Sequence, residues 1–198
     1  MTVATSPRKD QTEPQANPSA RSVVLCVAVS LDGYIARPDG AADWLIMDPE
    51  IDLGAYAKAF DVIVAGRKTL PPGKTSGNSK SSGQVARYVF SRTLPVGKRG
   101  GVEYVNQPPS ELIFQLKAQP GKDIWLFGGG ELTREFLKED LVDRMDLGIM
   151  PVLLGAGIPL FPQGFPQRNF NLVKFQAYKS GVVMASYARA AAKPLGRH

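Results

Sequence analysis

Asp123-Ile-Trp-Leu-Phe-Gly-Gly-Gly-Glu-Leu-Thr-Arg-Glu-Phe136 is the stretch on which the reading of this chain turns. A short apolar run, Ile124 to Phe127, meets three glycines, and a helical pattern starts at once with Leu132, Phe136 and Leu137 on one side. The pattern is that of a strand, a tight turn and a helix. Glycines at such a junction let the backbone turn sharply and let a ligand approach the main chain. The helix N-terminus behind them offers unpaired N–H groups and partial positive charge, a seat for phosphate. On its own, Gly-Gly-Gly before a helix is equally well a plain loop. A second junction of the same kind, Asp61-Val-Ile-Val-Ala-Gly-Arg-Lys-Thr69, lies upstream and carries two cations.

Around these junctions the chain alternates strand and helix signals. Val23 to Val29 is a β-branched run of the kind buried on both faces of a parallel sheet. Asp32-Gly33 and Pro38-Asp39-Gly40 read as turns. Asp48-Pro49 offers an N-cap followed by proline, predicting a helix that buries Leu53, Tyr56, Ala57 and Phe60. Val62–Ala65, Arg87–Ser91 and Val102–Val105 read as strands, Pro109 opens a helix with Leu112, Ile113 and Leu116, and Arg144 to Pro151 is a further strand. Pro71 to Gly83, dense in Pro, Gly, Ser and Lys, reads as a mobile surface loop. Asn169–Tyr178 and Gly181–Ala188 form a closing hairpin. The expected fold class is α/β, a mostly parallel central sheet flanked by helices with an antiparallel C-terminal hairpin at the edge.

Composition prunes the chemistry. At 198 residues, 43% hydrophobic and 21% charged, the chain suits one ordinary globular domain. No apolar run approaches the roughly 20 residues that span a bilayer. The opening segment, residues 1–21, lacks the apolar core of a secretory signal and reads as a disordered leader. The one cysteine, Cys26, rules out a disulfide framework, and the one histidine is His198, the last residue. His-based triads and His-ligated zinc are thereby set aside, no metal is expected, and cytoplasm is the expected compartment. The net charge of +6 comes from scattered cations without interleaved aromatics, so neither nucleic acid nor membrane is an expected partner.

The junctions taken in order resemble the dihydrofolate-reductase-like superfamily. The resemblance is closest to stand-alone relatives of the reductase (C-terminal) domain of the bifunctional riboflavin biosynthesis deaminase-reductase. The pieces that carry it are Val29-Ser-Leu-Asp-Gly-Tyr-Ile-Ala36, Asp39-Gly-Ala-Ala-Asp-Trp44, Ala65-Gly-Arg-Lys-Thr69, Ser91-Arg92, Phe127-Gly-Gly-Gly-Glu-Leu132 and Pro151-Val-Leu-Leu-Gly-Ala-Gly-Ile-Pro-Leu-Phe161. They extend across a single reductase domain over residues 22–190, followed by a flexible tail over residues 191–198. The resemblance implies NADPH as cofactor. Gly66, Arg67, Lys68 and Thr69 suit the adenosine-side phosphates, and Ser91 and Arg92 the extra phosphate of NADP, by a hydroxyl and a guanidinium fork. Gly128, Gly129 and Gly130, with Glu131 and Leu132 of the same motif, would take the pyrophosphate. The resemblance also implies that Ala28, Ile35 and Ala36 border the nicotinamide and that the Gly128–Gly129 peptide is cis.

On the substrate side, dihydrofolate reductases carry a carboxylate early in the helix after the Trp turn. Here that position falls on Asp48-Pro49-Glu50, with Glu50 the first choice as catalytic residue and Asp48 the second. Both are also explained without chemistry, as cap and helix-dipole partner. Asp32 matches a substrate-side position of the riboflavin-pathway relatives, and Trp44 either walls the pocket or is core. The zinc deaminase domain that usually precedes the reductase in those relatives has no counterpart here. An ordinary Rossmann reading of Gly128 to Gly130 would need an acidic ribose ligand at Asp143 or Asp146, neither at a strand end. The expectation is an NADPH-dependent reductase delivering hydride to a C=N or C=O carbon of a small pterin-like or pyrimidine/ribose-derived substrate. Ribosylaminopyrimidine reduction in riboflavin biosynthesis is one alternative, and an NADPH-binding protein with little turnover another. A homodimer is expected by analogy, consistent with the apolar Val182-Val183-Met184.

Overall fold

The computed structural model describes residues 21–70 and 85–191. The leader up to residue 20, the loop from Pro71 to Gly83 and the tail beyond residue 191 lie outside the described residues. The chain runs through β1 (Val23–Ser30), β2 (Tyr34–Ala36), α1 (Leu53–Ala57), β3 (Phe60–Gly66), β4 (Ala86–Phe90), β5 (Gly97–Arg99) and β6 (Val102–Val105). It continues through α2 (Pro109–Lys117), β7 (Asp123–Gly128), α3 (Gly130–Lys138), β8 (Arg144–Met150), β9 (Ile158–Pro159), β10 (Phe170–Ala177) and β11 (Val183–Arg189). Nine strands form one sheet in the order β10-β11-β8-β1-β7-β3-β4-β6-β5. The block β8-β1-β7-β3-β4-β6 is parallel throughout, so β1, β3, β4, β7 and β8 all end at one edge of the molecule. β10, β11 and β5 run antiparallel at the two flanks. The expected architecture is the one observed.

Helices α2 and α3 cover one face. Leu112, Ile113 and Leu116 of α2 and Leu132, Phe136 and Leu137 of α3 pack on Val23, Leu25, Val64, Ile124 and Leu126 of the central strands. Each such side chain contributes about 1.5–3 kcal/mol when fully buried. Burial therefore holds these nine-residue helices, which are too short to be stable alone. The opposite face carries an aromatic row, Tyr56–Phe60–Trp125–Phe127, with successive centroids 5.3, 5.4 and 5.2 Å apart.

Several expectations are corrected. The helix predicted from Asp48 starts only at Leu53, with Asp52 as N-cap accepting from the Ala55 N–H at 2.8 Å. Asp48 instead accepts from the Glu50 N–H at 2.8 Å, which closes a local turn. Gly54 weakens the helix, and Phe60, expected on its buried stripe, is the first residue of β3. Arg21, grouped with the leader in the sequence, is only 7% exposed and belongs to the domain. Its guanidinium donates to Lys122 O at 2.6 Å and Leu116 O at 3.1 Å and pairs with Asp61. Among the described residues the sheet ends in β10 and β5; β10 is exposed along nearly its whole length, whereas Val182 is fully buried and β11 lies between β10 and β8.

Candidate functional site

The two glycine junctions and the Ser91-Arg92 pair come together at the carboxyl edge. β3 lies between β7 and β4, with Ala65 paired to Gly128 and Gly66 to Phe90. Gly66, Ser91 and Gly128 thus end or follow three adjacent parallel strands, where open α/β sheets hold their ligands. The turn after β3 is locked by the Arg67 N–H donating to Phe90 O at 3.2 Å and the Thr69 N–H to Gly66 O at 3.0 Å. The Thr69 hydroxyl donates to Gly128 O at 3.5 Å, tying the first junction to the second. Arg67 and Lys68 project into solvent.

Ser91 and Arg92 divide their roles. Ser91 is 7% exposed, and its Oγ accepts from the Leu94 N–H at 2.9 Å and the Thr93 N–H at 3.3 Å. Its hydroxyl thus shapes the turn that presents Arg92. The Arg92 side chain is 90% exposed and stands 3.4 Å from Glu131 in the first turn of α3. Exposed pairs of this kind are worth about 0.2–1 kcal/mol, so the guanidinium is readily drawn to a stronger anion.

The glycines differ in purpose. A Cβ on Gly66 would meet nothing closer than Gly128 O at 3.8 Å, so the protein itself does not require glycine there. A Cβ on Gly129 would meet Thr69 Oγ1 at 2.7 Å, and one on Gly130 the Pro159 carbonyl oxygen at 2.2 Å. Packing therefore demands glycine at Gly130, where backbone stands in the way, whereas at Gly129 the obstacle is a side-chain hydroxyl that can move. The expected cis bond is absent: no peptide among the described residues is cis, and Gly128 and Gly129 make the turn with φ of +94° and +87°. Positive φ at both residues, which glycine adopts without penalty, turns the chain there with trans peptides. Leu132 faces the core, so only its backbone is available to a ligand. Next to it the Thr133 hydroxyl is fully buried without a hydrogen-bond partner. Sequence reasoning did not single it out.

This edge fits the phosphates of a dinucleotide. It combines the N-terminus of α3, exposed cations at Arg67, Lys68 and Arg92, an open surface at Gly66 and an orphaned hydroxyl at Thr133. Ala28 lies one strand further along the sheet, paired with Gly148, while Ile35 and Ala36 sit in the two-stranded sheet formed by β2 and β9.

The substrate-side candidates separate sharply. Asp32 is an anchor: it accepts from the Ser30 hydroxyl at 2.5 Å, the Gly155 N–H at 2.7 Å and the Leu154 N–H at 3.0 Å. The Ser30 hydroxyl and those two amides hold its carboxyl below the usual range, so it stays ionised. Asp48 is likewise lowered, by the Ser180 hydroxyl and then the Glu50 amide. Glu50 is exposed beside it. Trp44, 9% exposed, packs with Met150 and Val182 in a satellite cluster, and its indole N–H is buried without a hydrogen-bond partner.

The Rossmann alternative fails on position. Asp143 sits at the amino end of β8, accepting from the Val23 N–H at 2.8 Å and pairing with Lys117 and Arg189. Asp146 lies inside the sheet, where it pairs in register with Cys26. There the Tyr56 hydroxyl and the Arg144 guanidinium both donate to Asp146 Oδ2, the latter at 3.2 Å. Burial pushes the Cys26 thiol up to about 12 and raises the Tyr56 hydroxyl as well. Burial opposes the charge on Arg144, but Asp146, Tyr56 and Asp123 outweigh it and raise its pKa. This polar cluster also went unnoticed in the sequence, although an aspartate within the apolar run Met145–Met150 was a visible anomaly.

Among the described residues no cluster of side chains has the make-up of a metal site, and no helix is long and apolar enough to cross a membrane. Comparison with known proteins agrees with the fold. The uncharacterized protein YyaP of Bacillus subtilis (strain 168) is 35% identical over 182 residues, covering 86% of this chain and 96% of YyaP. A crystal structure from Shewanella sp. PV-4, of a protein provisionally assigned to riboflavin biosynthesis, is 31% identical with a TM-score of 0.72, covering 86% of this chain and 99% of that one. The riboflavin biosynthesis protein RibD of Corynebacterium ammoniagenes is 25% identical over 150 residues, 69% of this chain but only 44% of RibD. Residues 21–184 match the RibD C-terminal domain, and the chain belongs to that family.

Proposed function

We propose that the protein is an NADPH-dependent reductase that delivers hydride to a C=N or C=O carbon of a small pterin-like or pyrimidine/ribose-derived substrate. The observation that carries this reading is the convergence of Gly66–Thr69, Ser91–Arg92 and the α3 N-terminus on adjacent parallel strand ends. Arg67, Lys68 and Thr69 hold the adenosine-side phosphates, Arg92 the terminal phosphate, and the first turn of α3 the pyrophosphate. When bound, NADPH supplies the hydride. The chain contributes orientation, placing the nicotinamide at Ala28, where β1 meets β8. Asp32 fixes the Leu154–Gly155 turn beside that point and remains ionised, so it does not give a proton. Of the three substrate-side carboxylates, Glu50 is the one not engaged as an anchor or a turn closure, and in this proposal it relays a proton from solvent, directly or through water.

Two other readings have support. Similarity to RibD favours reduction of a ribosylaminopyrimidine. The exposure of Glu50 favours an NADPH-binding protein of low turnover. A substrate panel scored by loss of NADPH absorbance separates them. Turnover with dihydrofolate supports the first reading, turnover with the deaminated ribosylaminopyrimidine the second, and tight NADPH binding with neither supports the third. The protein acts as a cytoplasmic homodimer in this proposal. Support comes from β10, an edge strand paired only with β11 among the described residues, with Leu172, Val173 and Phe175 exposed, Phe175 by 67%.

A further inference from the structure

The carboxyl edge divides by charge. Its cofactor half exposes Arg67, Lys68 and Arg92. Its substrate half is built from the chain that follows β1, β2 and β8, and cations are scarce there. Over residues 22–57 the only Lys or Arg is Arg37, and over residues 151–167 there is none. Arg37 is taken up by Asp43, its Nε donating at 2.7 Å and its Nη2 at 3.2 Å. Lys179, exposed in the turn between β10 and β11, is next to Ser180, whose hydroxyl serves Asp48, so the carboxylates Asp48 and Glu50 outnumber it. Asp32 adds a further negative charge. The N-terminus of α1 does not compensate: the helix has five residues, and Asp52 caps it.

Apolar side chains take the place of cations. Leu31, directly after β1, and Leu153, just after β8, are each well over half exposed. The Leu31 N–H donates to Val152 O at 2.9 Å, so the two loops lie side by side. Met47 is exposed as well. Its neighbour Ile46 packs on the Trp44–Met150–Val182 cluster, as do Ala28 and the residues on either side of Leu153. The exposed residues thus rise from the same cluster that carries Ala28, the position proposed for the nicotinamide. Single exposed leucines are ordinary, but several around one reactive centre mark a ligand surface.

We propose that the substrate of this site carries its reducible C=N or C=O on an uncharged, largely apolar body. Leu31, Met47 and Leu153 seat that body, and the carboxylates around them repel anionic competitors. The proposal rests on the reductase reading for the position of the nicotinamide at Ala28, and it names the substrate class of that site. A phosphate or carboxylate on the substrate would face Asp32, Asp48 and Glu50 without a cation to pair with, and like charges brought together cost far more than the apolar contacts return. Phosphorylated and carboxylated compounds are therefore poor ligands of this half, although the other half of the same edge is suited to phosphates.

The probes are two matched pairs: methyl 4-formylbenzoate with 4-formylbenzoate, and the deaminated ribosylaminopyrimidine without and with its phosphate. Each is titrated calorimetrically into the full chain with saturating oxidised NADP, so that binding is read without turnover, and NADPH binding is measured separately. In both pairs the uncharged member should bind about tenfold or more tightly than the anion. Leu31→Lys and Leu153→Lys, at exposed positions where packing is undemanding, should each move the ester-to-acid ratio about fivefold or more toward the acid. Phe114→Lys, an equally exposed apolar position on α2, should leave the ratio where it is. Equal or tighter binding of the anions, the same ratio in both loop variants as in wild type, or no ester binding by a wild type that takes up NADPH would each overturn the proposal. So would a wild-type dimer that Leu153→Lys turns into a monomer with ester and acid binding unchanged, since the apolar residues would then serve a second copy. Failure of the wild type to bind NADPH while the preference for uncharged probes persists would overturn the reductase reading alone.

Discussion

Glu50 and Asp32 show how differently two carboxylates near one edge can be employed. Asp32 is satisfied by a hydroxyl and two amides, while Glu50 stands in solvent. If Glu50 supplies the proton, Glu50→Gln should cut turnover by about 10²–10⁴ and alter the pH–rate profile, with NADPH affinity intact. Turnover within a factor of about two of wild type would assign the proton to water, since general acid catalysis is worth far more than that. For Asp32 the sign of the pH effect follows from its lowered pKa. Its anchoring is fully present above the ordinary carboxylate range, around 4, and is lost as pH falls through the lower folded value. Hydrogen exchange at the Leu154 and Gly155 amides should therefore remain slow at pH 6 in the wild type. Asp32→Asn should accelerate it, and unchanged exchange in that variant would remove the anchor.

At the scale of elements, the junction of β7 and α3 meets both the β3 turn and β9, and its glycines can be told apart by substitution. Gly129→Ala places a methyl 2.7 Å from Thr69 Oγ1 at a residue with φ of +87°. The threonine hydroxyl can rotate away, so the cost is the backbone strain of about 1–3 kcal/mol, while the cradle surface is disturbed. Gly130→Ala meets a carbonyl oxygen of β9 at 2.2 Å, and backbone must move. Gly129→Ala should thus weaken NADPH with a small change in Tm, and Gly130→Ala should lower Tm more than Gly129→Ala does. The reverse order would contradict the separation of ligand-facing from packing glycines. The longer strands, β1, β3, β4, β6, β7, β8, β10 and β11, and the two nine-residue helices were legible from their apolar runs and periodicity, whereas the three-residue β5 was not. Helix α1 was overextended because Asp48-Pro49 imitates a cap, whereas Asp52 wins with Ala55 and the sheet claims Phe60. β2 and β9 carry no alternation to read: three and two residues pair only because the chain brings them together. The cofactor-side set was legible as motifs at strand ends. The Tyr56–Asp146 contact was not, because it joins residues 90 apart in sequence.

Among the described residues the β-sheet ends in β10 and β5, and the candidate ligand residues gather at the carboxyl edge of its parallel strands. β10 exposes Leu172 and Phe175, with no partner strand beyond it among the described residues. A second copy would bury them, so sedimentation at micromolar concentration should give a dimer for the wild type and a monomer for Phe175→Lys with unchanged NADPH affinity. A monomeric wild type would remove the homodimer. The central claim, that the carboxyl edge of β3, β4 and β7 holds NADPH, is tested most directly by titrating NADPH and NADH into wild type and Arg92→Ala. Wild type should prefer NADPH, and Arg92→Ala should lose about tenfold or more in NADPH affinity, the 1.5–3 kcal/mol of a charge-assisted contact, with NADH little changed. Equal loss for both cofactors, or no binding of either by the wild type, would contradict the account.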